Sequence, residues 1–552
     1  MRRRLLLLLV TSLVLLYGVI YPNLHLIVNS FQQGGLWSLQ NYSDALSQST
    51  VIKAIFNSVG LSIATVFFCA LVGVPLAFVF ERYVFPGRHI FATLAALPLV
   101  LPPLVGTVAF IFLCGESGIL SRAVQSLLGL SSAPWTLRGW PALLLFHTYT
   151  MYPFFYVLTG AGLRRIDAGL AEAARSLGAS LSQVLFRVVL PQLTPSLIAA
   201  ALLTFMTSMA SFSAPLFFGG NVRVLTLEIF TARQRGDMAM AVTETVILAA
   251  ISLLALLFFQ RYEGTRRFVA AALKGAPRTR RPITDGRARA VATLSGITFS
   301  LLLALPVLTL VLVSFAVDGQ WTTQTLPPAY TLANYRGLIT DPHSIEVFAN
   351  SLSMAAIAST AALLWSFCAA TLVTKGRKRR WKRVLSLLIL VPWALPGTVV
   401  AVAIAESYGK PSLLLGSFIL VGTFWILPVV YFLRFMPLVV RAVQASMEQM
   451  DPALEQAAET LGARLRQRFF RVTLPLVLPG AIAGALLAFI VALGEYVASV
   501  LVFVPANRPI SIAIASELRD FRLGTAAAYG VVLIGIIAVT MTIAARLEPV
   551  NS

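Results

Sequence analysis

Apolar runs of about twenty residues or more recur along the whole chain, separated by short polar stretches. As a helix, such a run crosses the roughly 30 Å hydrocarbon core of a bilayer. The pattern predicts about twelve spans, near 5–29, 56–80, 89–114, 139–163, 191–219, 240–260, 291–316, 350–374, 384–408, 414–440, 475–504 and 525–545. The predicted class is an all-α polytopic membrane protein, because a soluble fold would need an implausibly large core to hide this much apolar surface. The opening MRRRLLLLLVTSLVLLYGVIY resembles a secretory leader. Its apolar run outlasts the roughly 7–15 residues of a leader and meets no clear small-residue cleavage site, so it reads as an uncleaved first span.

The polar stretches between spans repeat. Residues 172–191 read EAARSLGASLSQVLFRVVLP, and residues 456–475 read QAAETLGARLRQRFFRVTLP. Gly178 matches Gly462, Pro191 matches Pro475 and Asp167 matches Asp451, each 284 residues apart. Upstream, Asn41–Tyr42 recurs at Asn334–Tyr335 and Asn57–Ser58 at Asn350–Ser351, both offset by 293. The Pro-rich segments 97–103 and 391–397 stand 294 apart. A drift this small needs only a few insertions in loops. The chain is therefore two homologous halves of six spans. An even number of spans leaves both halves in one orientation, a parallel repeat about an axis along the membrane normal. The first unit covers 1–260 with its polar loop near 164–190, and the second covers 291–552 with its loop near 441–474. Residues 261–290 read as a basic cytoplasmic linker, a tether and topology signal.

Composition sharpens this picture without changing it. The chain has 552 residues, 58% hydrophobic and 12% charged, with a net charge of +21. Such a charge could suggest nucleic acid, but its placement explains it better. With the N-terminus in the cytoplasm, 31 of the 43 Lys and Arg fall on inner segments, 11 on outer ones, and Arg434 inside a span. That bias fixes the orientation with both termini cytoplasmic. Anionic membrane lipid can assist it. The three cysteines, Cys69, Cys114 and Cys368, form no close pair, and His25, His89, His147 and His343 lack ligand spacing. No disulfide framework or metal site is predicted, and the histidines read as packing residues.

The repeated segment has a physical reading. Residues 167–177 favour a helix. Gly178 can take the left-handed conformation that ends it. Ser180 with Gln183 fits a capping box opening a second helix, and Pro191 stands near the start of the next span. The result is a helix–turn–helix at the cytoplasmic surface. One copy alone could be an amphipathic helix resting on headgroups. Two copies at corresponding places argue for a docking surface on each half, and so for a duplicated cytoplasmic partner.

At these residues the chain resembles ABC importer permeases. The family signature runs Glu-Ala-Ala, three residues, Gly, nine residues, then apolar-x-Leu-Pro. It is met by Glu172, Ala173, Ala174, Gly178, Val188, Leu190 and Pro191, and again by Gln456, Ala457, Ala458, Gly462, Val472, Leu474 and Pro475. The resemblance spans the chain as two fused permease units and implies the type I importer permease fold in a bacterial inner membrane. It implies that each loop carries a coupling helix seated on one subunit of a cytoplasmic ATPase dimer, which binds the ATP and Mg. It also implies an extracytoplasmic substrate-binding protein. The second copy departs from the signature: Gln456 replaces the glutamate and Arg464 stands where Ser180 caps. No G-x-x-x-x-G-K-[ST] phosphate loop occurs, so no cofactor and no ATP hydrolysis are expected of this chain.

Segments 208–230 and 492–514 resemble ferric-iron permeases, which makes ferric iron the expected substrate, with thiamine, polyamines or phosphonates as alternatives. An ion-driven secondary transporter is the reading from another class. The parallel repeat and the few intramembrane acids disfavour it. Ionisable groups inside spans cost several kcal/mol unless paired or facing water. Glu495, with Tyr496 beside it and Ser211 as its repeat counterpart, is therefore a translocation-path candidate. The alternative is that Glu495 pairs with another group. Arg434 and Glu406 are further candidates, either of which could snorkel to an interface. Pro98, Pro102, Pro103, Pro392 and Pro396 break the third and ninth spans, as hinges or as plain kinks.

Overall fold

A computed structural model describes residues 2–270, 280–321, 324–375, 379–411 and 416–547. In the first unit the helices that matter are α1 (Leu7–Ser30), α2 (Ser49–Arg82), α3 (Arg88–Leu94), α4 (Pro103–Cys114), α5 (Gly139–Arg165), α6 (Ala168–Ser176), α7 (Leu181–Met209), α8 (Ser213–Phe218), α9 (Leu225–Gln234) and α10 (Met238–Ala270). The second unit repeats them as α11 (Gly286–Ser314), α12 (Pro342–Lys375), α13 (Arg379–Ala394), α14 (Gly397–Tyr408), α15 (Ile426–Gln449), α16 (Pro452–Thr460), α17 (Leu465–Leu493), α18 (Val497–Val502), α19 (Ile510–Arg519) and α20 (Leu523–Leu547). The protein is all-α and polytopic: among the described residues only two-residue strands occur.

Among the described residues, ten helices are long and apolar enough to cross a membrane, or eleven if the bent pair α13–α14 counts as one span. The remaining predicted span, 139–163, is α5, which is 27 residues long but falls outside that set. His147, Tyr149, Tyr152, Tyr156 and neighbouring threonines lower its apolarity. Its place is nonetheless that of a span: α5 packs between α2 and α7 as α15 packs between α12 and α17.

The predicted spans 89–114 and 384–408 are broken, and proline explains where. Proline lacks the N–H that would continue a helix and its ring clashes with the preceding turn. The first break leaves α3, a short 3-10 turn at Leu97–Val100, and then α4 beginning at Pro103. The second leaves α13 and α14 bent by 102° around Leu395–Pro396.

The repeated dipeptides have equal jobs in both units. Asn41 donates to the carbonyls of Ser30 (3.1 Å) and Gln32 (3.0 Å), and Asn334 to those of Ser314 (2.9 Å) and Ala316 (2.8 Å). Tyr42 and Tyr335 each share a hydrogen bond with the same serines, Ser30 and Ser314. The pair thus ties off the end of each unit's first span. Ser58 accepts from the Leu225 N–H (2.9 Å), and Ser351 from the Ile510 N–H (2.7 Å). Each serine satisfies a first-turn N–H of α9 or α19 that the helix itself leaves orphaned.

The units interlock. α1 lies against α14 of the second unit, where the Tyr408 hydroxyl donates to the Tyr17 carbonyl at 2.5 Å. α11 lies in turn against α3 and α4 of the first unit. The Tyr149 hydroxyl of α5 donates to the Leu303 carbonyl of α11 at 2.8 Å. One continuous apolar core results, containing Leu104, Phe212 and Ile229 of the first unit and Val399, Tyr431 and Tyr496 of the second.

Of the predicted linker, residues 271–279 lie outside the described residues. On either side, α10 runs to Ala270 and α11 starts at Gly286, capped by Asp285. Arg281–Pro282 pairs in parallel with Tyr83–Val84. Glu81 binds Arg164 and, at 2.9 Å, Arg280. The end of the linker is therefore fastened to the first unit.

Candidate functional site

Each polar loop folds as a short helix, a left-handed glycine turn and a second helix. In the first, Asp167 caps α6 by accepting from the Gly169 N–H (2.9 Å). Gly178 has φ +84°, and the Ala179 N–H returns to the Ala174 carbonyl (3.0 Å) to close the turn. In the second, Asp451 caps α16 through the Ala453 N–H (2.9 Å), Gly462 has φ +77°, and Ala463 returns to Ala458 (2.9 Å).

The following caps differ. Ser180 accepts from the Gln183 N–H (3.3 Å), and Gln183 accepts from the Ser180 N–H (2.9 Å), a complete capping box. In the second loop Gln467 still accepts from the Arg464 N–H (2.8 Å). The arginine side chain has no acceptor to give back, so half of the box is missing. The second loop carries other pins: Glu459 pairs with Arg468 (2.6 Å), and Glu455 accepts from the Thr473 hydroxyl (2.7 Å). In the first loop the positions of Glu455 and Thr473 are Ala171 and Val189, both buried in an apolar cluster. The sequence comparison singled out Gln456 and Arg464, and it missed this exchange of apolar contact for hydrogen bonds.

Pro191 and Pro475 do not open new spans. Each lies within a continuous helix, α7 or α17, directly after a single wide π turn at Leu185–Val189 or Phe469–Thr473. The wide turn is a response to the proline. It re-registers the carbonyls that the missing N–H would have left unpaired.

The chemistry-bearing residues of the loops lie at the protein surface. Glu172, Ala173, Gly178, Gln456, Ala457 and Gly462 are exposed, Ala174 and Ala458 half-exposed. Leu177 is 88% exposed and its counterpart Leu461 87% exposed, with Leu181, Leu465, Phe186 and Phe470 exposed beside them. A groove of ≈ 430 Å³ lies along the first loop, lined by Ala174, Leu177, Gly178, Gln183, Arg187 and Val188. Matched apolar side chains at both glycine turns form two equivalent apolar patches. Leu190 and Leu474, further along, lie within the same continuous helices, α7 and α17, just after the π turns.

The predicted path residues come together in the interior. Glu495 is buried and pairs with Arg434 of α15 at 3.2 Å, with side-chain exposures of 5% and 18%. The same carboxylate caps α18 by accepting from the Ala498 N–H at 2.9 Å. The Arg434 guanidinium also lies against Gly397, in the space a Cβ would occupy, beside the α13–α14 bend. One ion pair therefore joins three elements. Arg434 does not snorkel. In the first unit Ser211 replaces Glu495, and its hydroxyl hydrogen-bonds to Nε2 of the fully buried His147 at 2.9 Å. His147 also meets Thr65 and Ser208, so its ring is satisfied by hydroxyls as a packing histidine is. Glu406 stands elsewhere, half-buried on α14 and within electrostatic reach of His25 and Arg233 of the first unit. No group of three or more His, Cys, Asp and Glu gathers among the described residues.

Tyr496 shows where these residues lie. Its ring meets that of Phe212, with centroids 5.9 Å apart. Phe212 and Tyr496 are 284 positions apart, so they are repeat equivalents. Equivalent residues touch each other only on the axis relating their units. The two rings, both buried, therefore meet on the pseudo-axis, flanked by Ser211 and Glu495. Only the repeat offset signalled this in the sequence, and no periodicity did.

Comparison with known proteins agrees with the two-unit form. Residues 71–264 and 362–550 each match the family described as binding-protein-dependent transport system inner membrane component. A Probable ABC transporter permease protein of Sinorhizobium fredii is 32% identical, over 88% of this chain and 85% of its own length. The ferric transport system permease protein FbpB of Actinobacillus pleuropneumoniae is 24% identical, over 95% of this chain and 75% of its own. An Fe(3+)-transport system permease protein of Haemophilus influenzae is 23% identical, over 95% of both chains.

Proposed function

Because the chain belongs to the binding-protein-dependent transport system inner membrane components, as a fused two-unit ABC transporter permease, we propose that it forms the path for ferric iron across a bacterial inner membrane. The observation that carries the path is the Phe212–Tyr496 contact on the pseudo-axis, with a polar or charged neighbour on each side. Rocking the units apart separates these rings, and closing the units brings them together. Iron is supported by the length over which the ferric permeases align, both units included.

The two polar loops are the coupling sites. Glu172, Ala173, Ala174 and Gly178 of the first, with Gln456, Ala457, Ala458 and Gly462 of the second, seat on a dimer of separate ATPase subunits that hold ATP and Mg. The exposed Leu177 and Leu461 supply the apolar contacts. Both termini are cytoplasmic, by the distribution of Lys and Arg. An extracytoplasmic binding protein delivers iron to the opposite face.

The test is reconstitution in proteoliposomes. The chain alone is expected to show no ATP hydrolysis. Addition of the ATPase subunit and an iron-loaded binding protein is expected to give ATP-dependent uptake of radioactive iron. Uptake of molybdate in place of iron would overturn the substrate assignment. The rings give a further expectation: replacing both Phe212 and Tyr496 by Ala opens an ATP-independent leak of small ions. Each truncation costs about 3–5 kcal/mol at a buried aromatic, so retained assembly is checked by size-exclusion chromatography. A tight, assembled double variant would remove the rings from the path.

A further inference from the structure

The turn between α19 and α20 contains a residue the fold does not ask for. Phe521 has φ +57° and is, among the described residues, the non-glycine residue with positive φ. The first unit has Gly236 at the equivalent turn between α9 and α10, with φ +79°. The turns are built alike. Gly236 N–H donates to the Arg233 carbonyl and Asp237 N–H to that of Ala232, while Phe521 N–H donates to Leu518 and Arg522 N–H to Glu517. The backbone requires a left-handed residue in both places, and glycine meets that requirement without strain. A phenylalanine there disfavours the folded state, so its side chain must serve something else.

The ring is not used inside the protein. Phe521 is 79% exposed, between exposed Arg519, Asp520 and Arg522. Arg522 pairs with Glu517 at 2.6 Å and lies 4.0 Å from Asp520. An apolar side chain is thus held upright in a rim of paired charges, where hydrocarbon would be a poor neighbour. α20 starts at this turn and is 25 residues long, about 37 Å at helical rise. Consecutive spans therefore put Phe521 on the face opposite the two polar loops.

We propose that Phe521 is an apolar anchor by which the second unit engages the soluble extracytoplasmic binding protein. The proposal rests on the importer reading, and the family's dependence on a binding protein names the occupant. An aromatic centre in a charged rim is the pattern of an interface hot spot. The anchor exists on one unit only, because Gly236 offers no side chain. It gives the bound protein one orientation over an otherwise pseudo-symmetric face.

The test uses the full chain assembled with its ATPase in nanodiscs. The probe is the purified iron-loaded binding protein that supports uptake by wild type. Phe521→Gly is expected to melt at or above the wild-type temperature, because it relieves the strained φ. It is also expected to weaken probe binding at least about tenfold, or about 1.4 kcal/mol. Phe521→Trp is expected to keep binding within about threefold, as a second aromatic anchor. Unchanged affinity in Phe521→Gly overturns the proposal, and so does a lowered melting temperature, which makes the ring structural. Quenching of Phe521→Trp fluorescence by brominated lipid also overturns it, since the ring would then lie in the bilayer. If wild type itself binds no such probe and its ATPase is not stimulated, the importer reading fails. If wild type responds and Phe521→Gly responds equally, only this inference fails.

Discussion

Glu495→Gln and Arg434→Gln are each expected to destabilise the protein by about 3–5 kcal/mol, while the double variant recovers most of that loss. Breaking one side of a buried ion pair leaves the other charge uncompensated, which costs more than the intact pair contributes. Here the surviving group has little water to turn to, because both side chains are largely buried. Arg434 alone is the worse case. Its guanidinium would rest on Gly397, in the first turn of α14, where the helix dipole is positive. Glu495→Gln keeps an oxygen that can still accept from the Ala498 N–H, so its loss isolates the charge effect. Thermal unfolding of the four proteins in detergent measures the coupling directly. Additive losses in the double variant would show that the two groups act independently. In proteoliposomes Glu495→Gln is expected to impair transport while still assembling with the ATPase, because the pair fixes the bend beside the path. Loss of assembly would make the pair merely structural.

That pair also marks the boundary of what can be read from sequence. The left-handed Gly178 and the capping box of Ser180 with Gln183 are local: each depends on residues within one turn of one another, and each is present as expected. Arg434 and Glu495 are 61 residues apart, and only the packing of α15 against α17 brings them together. Seen singly, an arginine inside a span looks like one that snorkels. The interlocking of α1 with α14 and of α11 with α4 is tertiary in the same sense. The π turns before Pro191 and Pro475 are a different case. Proline announced a disturbance, but a helix end and a widened turn both relieve it. Continuous packing of α7 and α17 selects the second. α5 was legible as a span, but the partners of its tyrosines and His147, at Leu303, Ala95 and Ser211, are set by tertiary packing.

On the proposed coupling role, Gly178→Val and Gly462→Val are each expected to cut ATP-driven uptake severely while leaving ATP hydrolysis by the assembled complex. The reason lies in the backbone. At φ +84° and +77° an L-residue costs about 1–2 kcal/mol, and a β-branched one is worse placed still. The space around each glycine is open, with no atom within 4 Å of where a Cβ would stand. A Cβ there therefore meets nothing in this chain, and the effect of valine is expected to come from turning one loop helix relative to the other, or from the partner. Asparagine separates these causes, because it tolerates the left-handed region. If conformation decides, Gly178→Asn and Gly462→Asn transport near the wild-type rate. If the ATPase surface closes tightly on the glycine, asparagine fails as valine does. The two positions should also differ in degree. The first loop has a complete capping box after its glycine. The second has half of one, but adds the Glu459–Arg468 pair and the Glu455–Thr473 hydrogen bond. With side chains pinned across its turn, the second loop should resist reorientation more, so Gly462→Val is expected to keep more transport than Gly178→Val. Equal loss at both sites would show that the two loops transmit the stroke alike despite their different construction. Normal uptake with normal ATPase stimulation in both valine variants would remove the loops from coupling altogether.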